Sequence, residues 1–506
     1  MTDKSRWAAG LALGGARFAA LLLAAMLPAL FDHGYRLLDA EVLVIGAGAA
    51  GVGLLLSLAT RKAQWLGRLL FAALVVLVLD VYFLSGWLLV LAVAAVAIGV
   101  QFTRFESECS NIAAVFALIF IALAAQSSYR SVLKPILPAA PRPMASGAVS
   151  GKPLVLHIVL DEQGSPLAAS AAMQSSGRLD RLLESYVQRG FHIQTSVRAI
   201  SGATQISLGR VFGPQDLKPH QKNVSSVSEP FTNRLRENDL LQQLDRQGFD
   251  VTVIQNMFLQ LCPSKIGRCH TYQRANHGHA MRRFNDRLGT RLWLAGALLH
   301  TDFLDTQGDR GAYLYRFPAR LAMRHGIGYS VEKSHFWTRP ATVLEVLDNL
   351  EHQVPDMQPG EAWMIHLLLP HFPYVLDSQC GLRSHKDWSV PAWVSETTAE
   401  EALMARLEQD YWQQAECVHA RLLGIIDQLD QKLGREHVRI LIHGDHGARL
   451  AQKEPEPEAT VLAAGDHNGS LDTLMLLRAP AAAPGVTEDR ISLVESVRRS
   501  YGLLLQ

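Results

Sequence analysis

The sequence predicts an N-terminal α-helical membrane bundle of five spans, followed by an α/β domain with a mostly parallel central sheet flanked by helices. Three observations predict it. Residues 1–128 are apolar and rich in Ala, Leu and Val, whereas residues 151–506 have an ordinary globular composition with dispersed charge and many histidines. Apolar, strand-like runs beyond residue 151 end in acid or histidine clusters, as buried parallel strands do at their carboxyl ends. Residues 398–432 carry helical periodicity with charge on one face, the pattern of a helix packed on a sheet.

The spans come first. A bilayer needs roughly 20 apolar residues per helix, 17 at the short end. Residues 7–31, 41–59, 67–84, 86–101 and 111–127 meet that length, with a turn near Ser85-Gly86. Lys4 and Arg6 precede the first span, Arg61, Lys62 and Arg68 lie between the second and third, and Arg104 lies between the fourth and fifth. Positive charge favours the cytoplasmic side. The N-terminus is therefore expected inside and everything after residue 128 outside. Residues 129–152 are rich in Pro, Ala, Gly and Ser and read as a linker, leaving 153–506 as a soluble domain.

One motif inside this region is misleading. Gly46, Gly48 and Gly51 form GxGxxG after an apolar run. A dinucleotide site needs an amphipathic helix next and an acid about 20 residues on. The following residues keep membrane hydropathy instead, so no nucleotide cofactor is expected and the small residues suit helix–helix packing. A net charge of +1 gives no field that would attract nucleic acid.

Cys262 and Cys269 lie close together in LCPSKIGRC, a spacing that suits a small disulfide loop in an oxidising compartment and does not match a zinc ribbon.

The chemistry gathers at strand ends. PLVLHIVLDEQGSP places Asp161 and Glu162 after an apolar run, and HVRILIHGDHGARL places Asp445 and His446 after another. AWMIHLLLPHFPYVL carries His366 and His371, and His467 lies in a turn before a further strand. Carboxylate and imidazole are ligands for Zn²⁺ or Mn²⁺. Each histidine alone is more simply a structural one; together they point to one metal site assembled by the fold. In AISGATQISLGRVFG, Ser201, Thr204 and Ser207 offer hydroxyls. A hydroxyl needs a metal or base to become a nucleophile, and Ser and Thr also cap helices. HFWTRP sets Trp337 and Arg339 either near a phosphate or in surface packing, and NHGH holds His277 and His279.

This order of features resembles the alkaline phosphatase and sulfatase superfamily, and in it the membrane-anchored lipid A phosphoethanolamine transferases and lipoteichoic acid synthases. The resemblance covers roughly residues 151–480. Asp161-Glu162 is similar to the family's first acidic ligand. The segment from Thr204 to Ser207 resembles the one that opens with the nucleophilic Thr. The pair His366 and His371 resembles an H-x₄-H-x-P element, and Asp445-His446-Gly447 resembles the family's DHG. Sulfatases carry C/S-x-P-x-R, which is missing at the expected place.

The resemblance implies an alkaline-phosphatase-like fold and a divalent cation, usually zinc, with Mn, Mg or Ca as alternatives. Asp161 or Glu162, Asp445, His446 and Thr204 would hold it. Thr204 would take up a phosphoryl group from a phospholipid donor, with His371 and His467 binding that group or the leaving group. An envelope glycan or lipid would then accept it; a sulfatase-like hydrolase or phosphodiesterase using water is the alternative. The implied location is the bacterial inner membrane, multi-pass, with the catalytic domain periplasmic.

Overall fold

The computed structural model describes residues 3–60, 151–218, 221–226, 233–262, 267–272, 277–304, 339–391, 401–450 and 469–506, with isolated positions 70 and 74. The spans expected at 67–84, 86–101 and 111–127 and nearly all of the linker lie outside these residues, as do His467 and Trp337. Two compact units emerge: Met1–Lys134 with Arg274–Thr338, and Pro135–Gln273 with Arg339–Gln506. Residues 274–338, expected within a continuous catalytic domain, thus group with the N-terminal helices.

In the first unit, helices α1 (Asp3–Asp32) and α2 (Ala40–Thr60) are long and apolar enough to cross a membrane. They pair through Gly53, whose missing side chain lets the chain approach Ala19 and Gly15, and Ser57 Oγ donates to Leu11 O at 3.2 Å. The glycines of the GxGxxG motif do not make this contact. Among the described residues nothing lies within 4 Å of a Cβ placed on Gly46, Gly48 or Gly51. The helical period explains the difference, because Ala49 and Gly53 share the buried face, four residues apart.

The second unit begins with β1 (Leu154–Asp161), α3 (Ala171–Ser175), α4 (Arg178–Gln188), β2 (His192–Arg198) and α5 (Thr204–Val211). Next come β3 (Val224–Ser226), β4 (Asn233–Leu235), α6 (Asp239–Arg246), β5 (Asp250–Asn256), β6 (Leu259–Gln260) and β7 (Arg268–Tyr272). Helices α7 (His277–Arg282) and α8 (Leu288–Leu304) follow in the chain but belong to the first unit. The second unit resumes with α9 (Arg339–Gln353), β8 (Glu361–Pro370), α10 (Glu401–Leu433), β9 (Val438–Gly444), β10 (Asp472–Arg478), β11 (Gly485–Thr487), β12 (Ile491–Ser492) and α11 (Leu493–Leu504).

The main sheet runs β11-β2-β10-β9-β1-β8-β5-β7, with β12 also on β2. Only the β10 pairings are antiparallel, so the expected mostly parallel sheet is present. Every residue of β1 is buried, as expected for a central strand covered on both faces. One face packs on α5, α6 and α11 through Leu208, Val211, Leu241, Leu244, Val497 and Leu504. Helices α9 and α10 also pack on β8.

The period of two along each central strand decides where the chemistry points. Val155 and Val159 lie in the core on the α5 side, and Asp161 continues their parity. Ala362 and Met364 lead in the same way to His366, and Leu441 leads to Asp445. Three parallel strands therefore deliver three polar side chains to one edge of the sheet, beneath the start of α5.

Disulfides join Cys262 to Cys269 and Cys380 to Cys417. The second ties the loop after β8 to α10, and its spacing of 37 residues gives no local signal in the sequence.

Candidate metal centre

The packing of α5 on the turn after β9 sets the position of Thr204. Thr204 is the first residue of α5, and the three hydroxyls of this segment have separate jobs. Ser201 Oγ accepts from the Ala203 N–H at 3.1 Å and shapes the turn. Ser207 Oγ donates to Asp445 O at 2.5 Å and pins α5 to the turn after β9. Thr204 Oγ1 faces the polar cluster, 3.5 Å from Asp161 Oδ1 and 3.4 Å from His446 Nε2. Its place at a helix N-terminus favours negative charge there.

Glycines flanking Asp445 and His446 allow this turn, though not by opening room for a ligand. A Cβ on Gly444 would lie 2.6 Å from Gln163 O, and one on Gly447 would lie 2.7 Å from Asp472 O. They let the turn sit against neighbouring backbone.

Asp445 uses Oδ1 to accept the N–H groups of Glu162 (3.0 Å) and His446 (2.8 Å). Its Oδ2 is buried and finds no hydrogen-bond partner among the described residues, 3.4 Å from His446 Nε2. Burial raises the Asp445 pKa. His446 gives its Nδ1 proton to Gly447 O at 2.9 Å, so its Nε2 lone pair faces Thr204 and Asp161. Burial, helped by Arg449, lowers its pKa to about 4 and keeps it neutral.

His366 differs. Asn256 Oδ1 accepts two backbone N–H groups, so its amide nitrogen donates to His366 Nδ1 at 3.0 Å. The hydrogen-bond network therefore assigns the His366 proton to Nε2. His366 Nε2 lies 3.8 Å from Asp161 Oδ2 and makes no hydrogen bond among the described residues. Although His366, Asp161 and Asp445 are close enough to share an ion, this tautomer makes His366 a donor into the site rather than a ligand.

Glu162 is held by Arg449. It has a left-handed backbone (φ 64°), and its carbonyl accepts from Tyr411 Oη at 2.9 Å. Its carboxylate takes Arg449 Nε at 2.5 Å and the Phe372 N–H at 3.4 Å. Arg449 Nη2 donates to His371 Nε2 at 3.1 Å, and His371 Nδ1 donates to Phe372 O at 2.5 Å. Asp161, Glu162 and His371 also lie close enough to share an ion, yet the guanidinium already satisfies two of them. Burial opposes charge on Arg449, but Glu162 and Asp161 more than offset it and raise its pKa. Arg449, three residues beyond His446, has no signal in the sequence beyond a basic residue after a DHG turn. Asn256 likewise gave none, because its role depends on β5 lying beside β8.

The residues present suit a divalent cation. Asp161, Glu162 and Asp445 are three buried carboxylates facing one guanidinium, which leaves two formal negative charges among neutral histidines. An orphaned carboxylate oxygen, an imidazole lone pair and a threonine hydroxyl converge there as oxygen and nitrogen donors. The side chain of Arg339 lies outside the described residues, and the expected roles of Trp337 and His467 fall outside them as well.

No known family profile matches the chain, and no curated protein does. Solved structures give matches. The phosphonate monoester hydrolase of Silicibacter pomeroyi shares 14% identity with a TM-score of 0.40, over 69% of this chain and 73% of that one. A 2-O glycosaminoglycan sulfatase shares 13% identity with a TM-score of 0.37, over 70% and 71%. The C-terminal periplasmic domain of EcEptC from Escherichia coli, in complex with Zn, shares 13% identity with a TM-score of 0.39, over 72% and 86%.

Proposed function

We propose that the chain is a membrane-anchored phosphotransferase that moves a phospholipid headgroup, of phosphoethanolamine or phosphoglycerol type, to an envelope glycan or lipid through a covalent phospho-threonine. The observation that carries this reading is Thr204 Oγ1 at the start of α5, within 3.5 Å of both Asp161 and His446. Asp161, Asp445, His446 and Thr204 would hold the cation, zinc by preference. Glu162 takes the separate task of fixing Arg449. When bound, a divalent cation supplies positive charge that favours the threonine alkoxide and offsets charge on the phosphoryl oxygens.

The chain's own groups do the rest. Thr204 Oγ1 forms a bond to the donor phosphorus while the bond from phosphorus to the diacylglycerol oxygen breaks. The threonine proton ends on the released diacylglycerol. The acceptor hydroxyl then forms its bond to phosphorus while the bond from phosphorus to Thr204 Oγ1 breaks, and its proton returns to Thr204 Oγ1. His366 Nε2–H and Arg449 offer donors to the phosphoryl oxygens, and His371 holds Arg449 in orientation. The α1–α2 pair supports an inner-membrane anchor, and the disulfides support a periplasmic catalytic unit.

The test is product analysis on purified full-length protein in mixed bacterial phospholipid vesicles, with and without envelope lipid acceptor. Diacylglycerol release that requires the acceptor supports transfer. Equal release without acceptor would replace this reading with a hydrolase using water.

A further inference from the structure

Residues 274–338 interrupt the sheet-bearing unit in sequence, and their described helices lie in the other unit. Helices α7 and α8 meet the α1–α2 pair at defined points. The Gly278 N–H donates to His33 O at 2.9 Å, and a Cβ on Gly278 would lie 2.5 Å from the Tyr35 nitrogen. The glycine of the NHGH motif thus serves a close backbone approach. Arg282 Nη1 lies 2.8 Å from Asp39 Oδ2. Arg291 clasps Glu41 with two bonds, Nε to Oε1 at 2.6 Å and Nη2 to Oε2 at 2.7 Å. Those two side chains are 5% and 0% exposed. Met281, Phe284, Leu294 and Leu298 are buried in the same unit.

A bidentate ion pair shut away from water specifies one partner and one register, because separating it strands two charges in an apolar setting. Glu41 opens the second apolar helix, and Arg291 comes from a segment about 250 residues later in the chain. The segment leaves the sheet just after Tyr272. The Tyr272 hydroxyl donates to His366 O at 2.9 Å and accepts from the Leu368 N–H at 3.2 Å, so its root on β7 is hydrogen-bonded to the strand that carries a site histidine.

We propose that residues 277–304 are a second, non-covalent membrane tether for the catalytic unit. The covalent connection on the N-terminal side runs through residues 129–152, rich in Pro, Ala, Gly and Ser. The arm adds an attachment that follows β7 in the chain and is clamped to the α1–α2 hairpin by Arg291–Glu41 and Arg282–Asp39. It holds the catalytic unit at the membrane, where a lipid-embedded substrate resides. This rests on α1 and α2 being membrane spans and is independent of the chemistry proposed for the site.

The experiment uses the full chain in native membranes, with a specific protease sequence inserted between residues 139 and 148. After cleavage, membranes are sedimented in moderate salt and the catalytic fragment is quantified in pellet and supernatant. The expected result is retention of the wild-type fragment, release of most of it in Arg291→Glu, and recovered retention in the Glu41→Arg/Arg291→Glu double variant. Arg291→Met, checked by its thermal melt, serves if the charge reversal does not fold, and it too is expected to release the fragment. Release of the wild-type fragment would overturn the proposal. Retention unchanged in every variant would overturn the assignment to these ion pairs.

Discussion

Thr204 Oγ1 lies 3.4 Å from His446 Nε2 although 242 residues separate them in the chain. Strand β9 delivers His446 and α5 delivers Thr204, and Ser207 locks the two elements together through Asp445 O. Thr204→Ala removes the hydroxyl and the γ-methyl group. Turnover is expected to fall by at least about 10³-fold while the circular dichroism spectrum and most of the metal content persist. Thr204→Ser, which keeps the oxygen, is expected to retain measurable activity.

Asp445 has one carboxylate oxygen committed to two backbone N–H groups and the other unpartnered among the described residues. Asp445→Ala therefore removes a proposed ligand and the two hydrogen bonds that hold the turn presenting His446. Zinc measured by elemental analysis is expected near one equivalent in the wild type and near zero in the variant. Chelation should abolish wild-type turnover, and zinc should restore it. A variant that keeps its full metal content would place the ion elsewhere.

Arg449 answers the buried Glu162 carboxylate. Removing the guanidinium alone leaves that charge without its main partner, at a cost of about 3–5 kcal/mol by analogy with other broken buried pairs. Arg449→Met is expected to destabilise strongly in urea melts. Arg449→Met/Glu162→Gln is expected to recover much of that stability without recovering activity. Additive losses in this cycle would deny the coupling.

His419 is buried between Tyr186 Oη (2.9 Å) and Gln163 Oε1 (3.0 Å), and burial lowers its pKa to about 4. The unfolded chain binds a proton at about 6.5, so between those values the unfolded state holds more protons and stability falls as the pH falls. This group alone is expected to cost about 2 kcal/mol between pH 7 and pH 5. Urea melts of His419→Gln should show a shallower acid slope by that amount; an unchanged slope would assign the acid sensitivity to other groups.

Much of this architecture is legible in the sequence, for a physical reason. The apolar runs ending at Asp161, His366 and Asp445 are central strands, and their period of two aims all three residues at one face. The long helix read at 398–432 is present as α10. Tertiary partnerships were hidden. Which of Asp161 and Glu162 meets Thr204 depends on the left-handed turn at Glu162, which the sequence does not mark. Arg449 and Asn256 act through neighbours far off in the chain. Residues 277–304 read as ordinary domain sequence because Arg291 declares its purpose only beside Glu41. The glycines at 46, 48 and 51 suggested packing that Gly53 provides instead.

The covalent phospho-threonine is tested most directly by intact mass and peptide mapping of the full-length protein after incubation with mixed bacterial phospholipids and zinc. The account predicts a phosphoethanolamine or phosphoglycerol adduct on the peptide containing Thr204, lost in Thr204→Ala. An adduct on any other residue, or full turnover by Thr204→Ala, would contradict it.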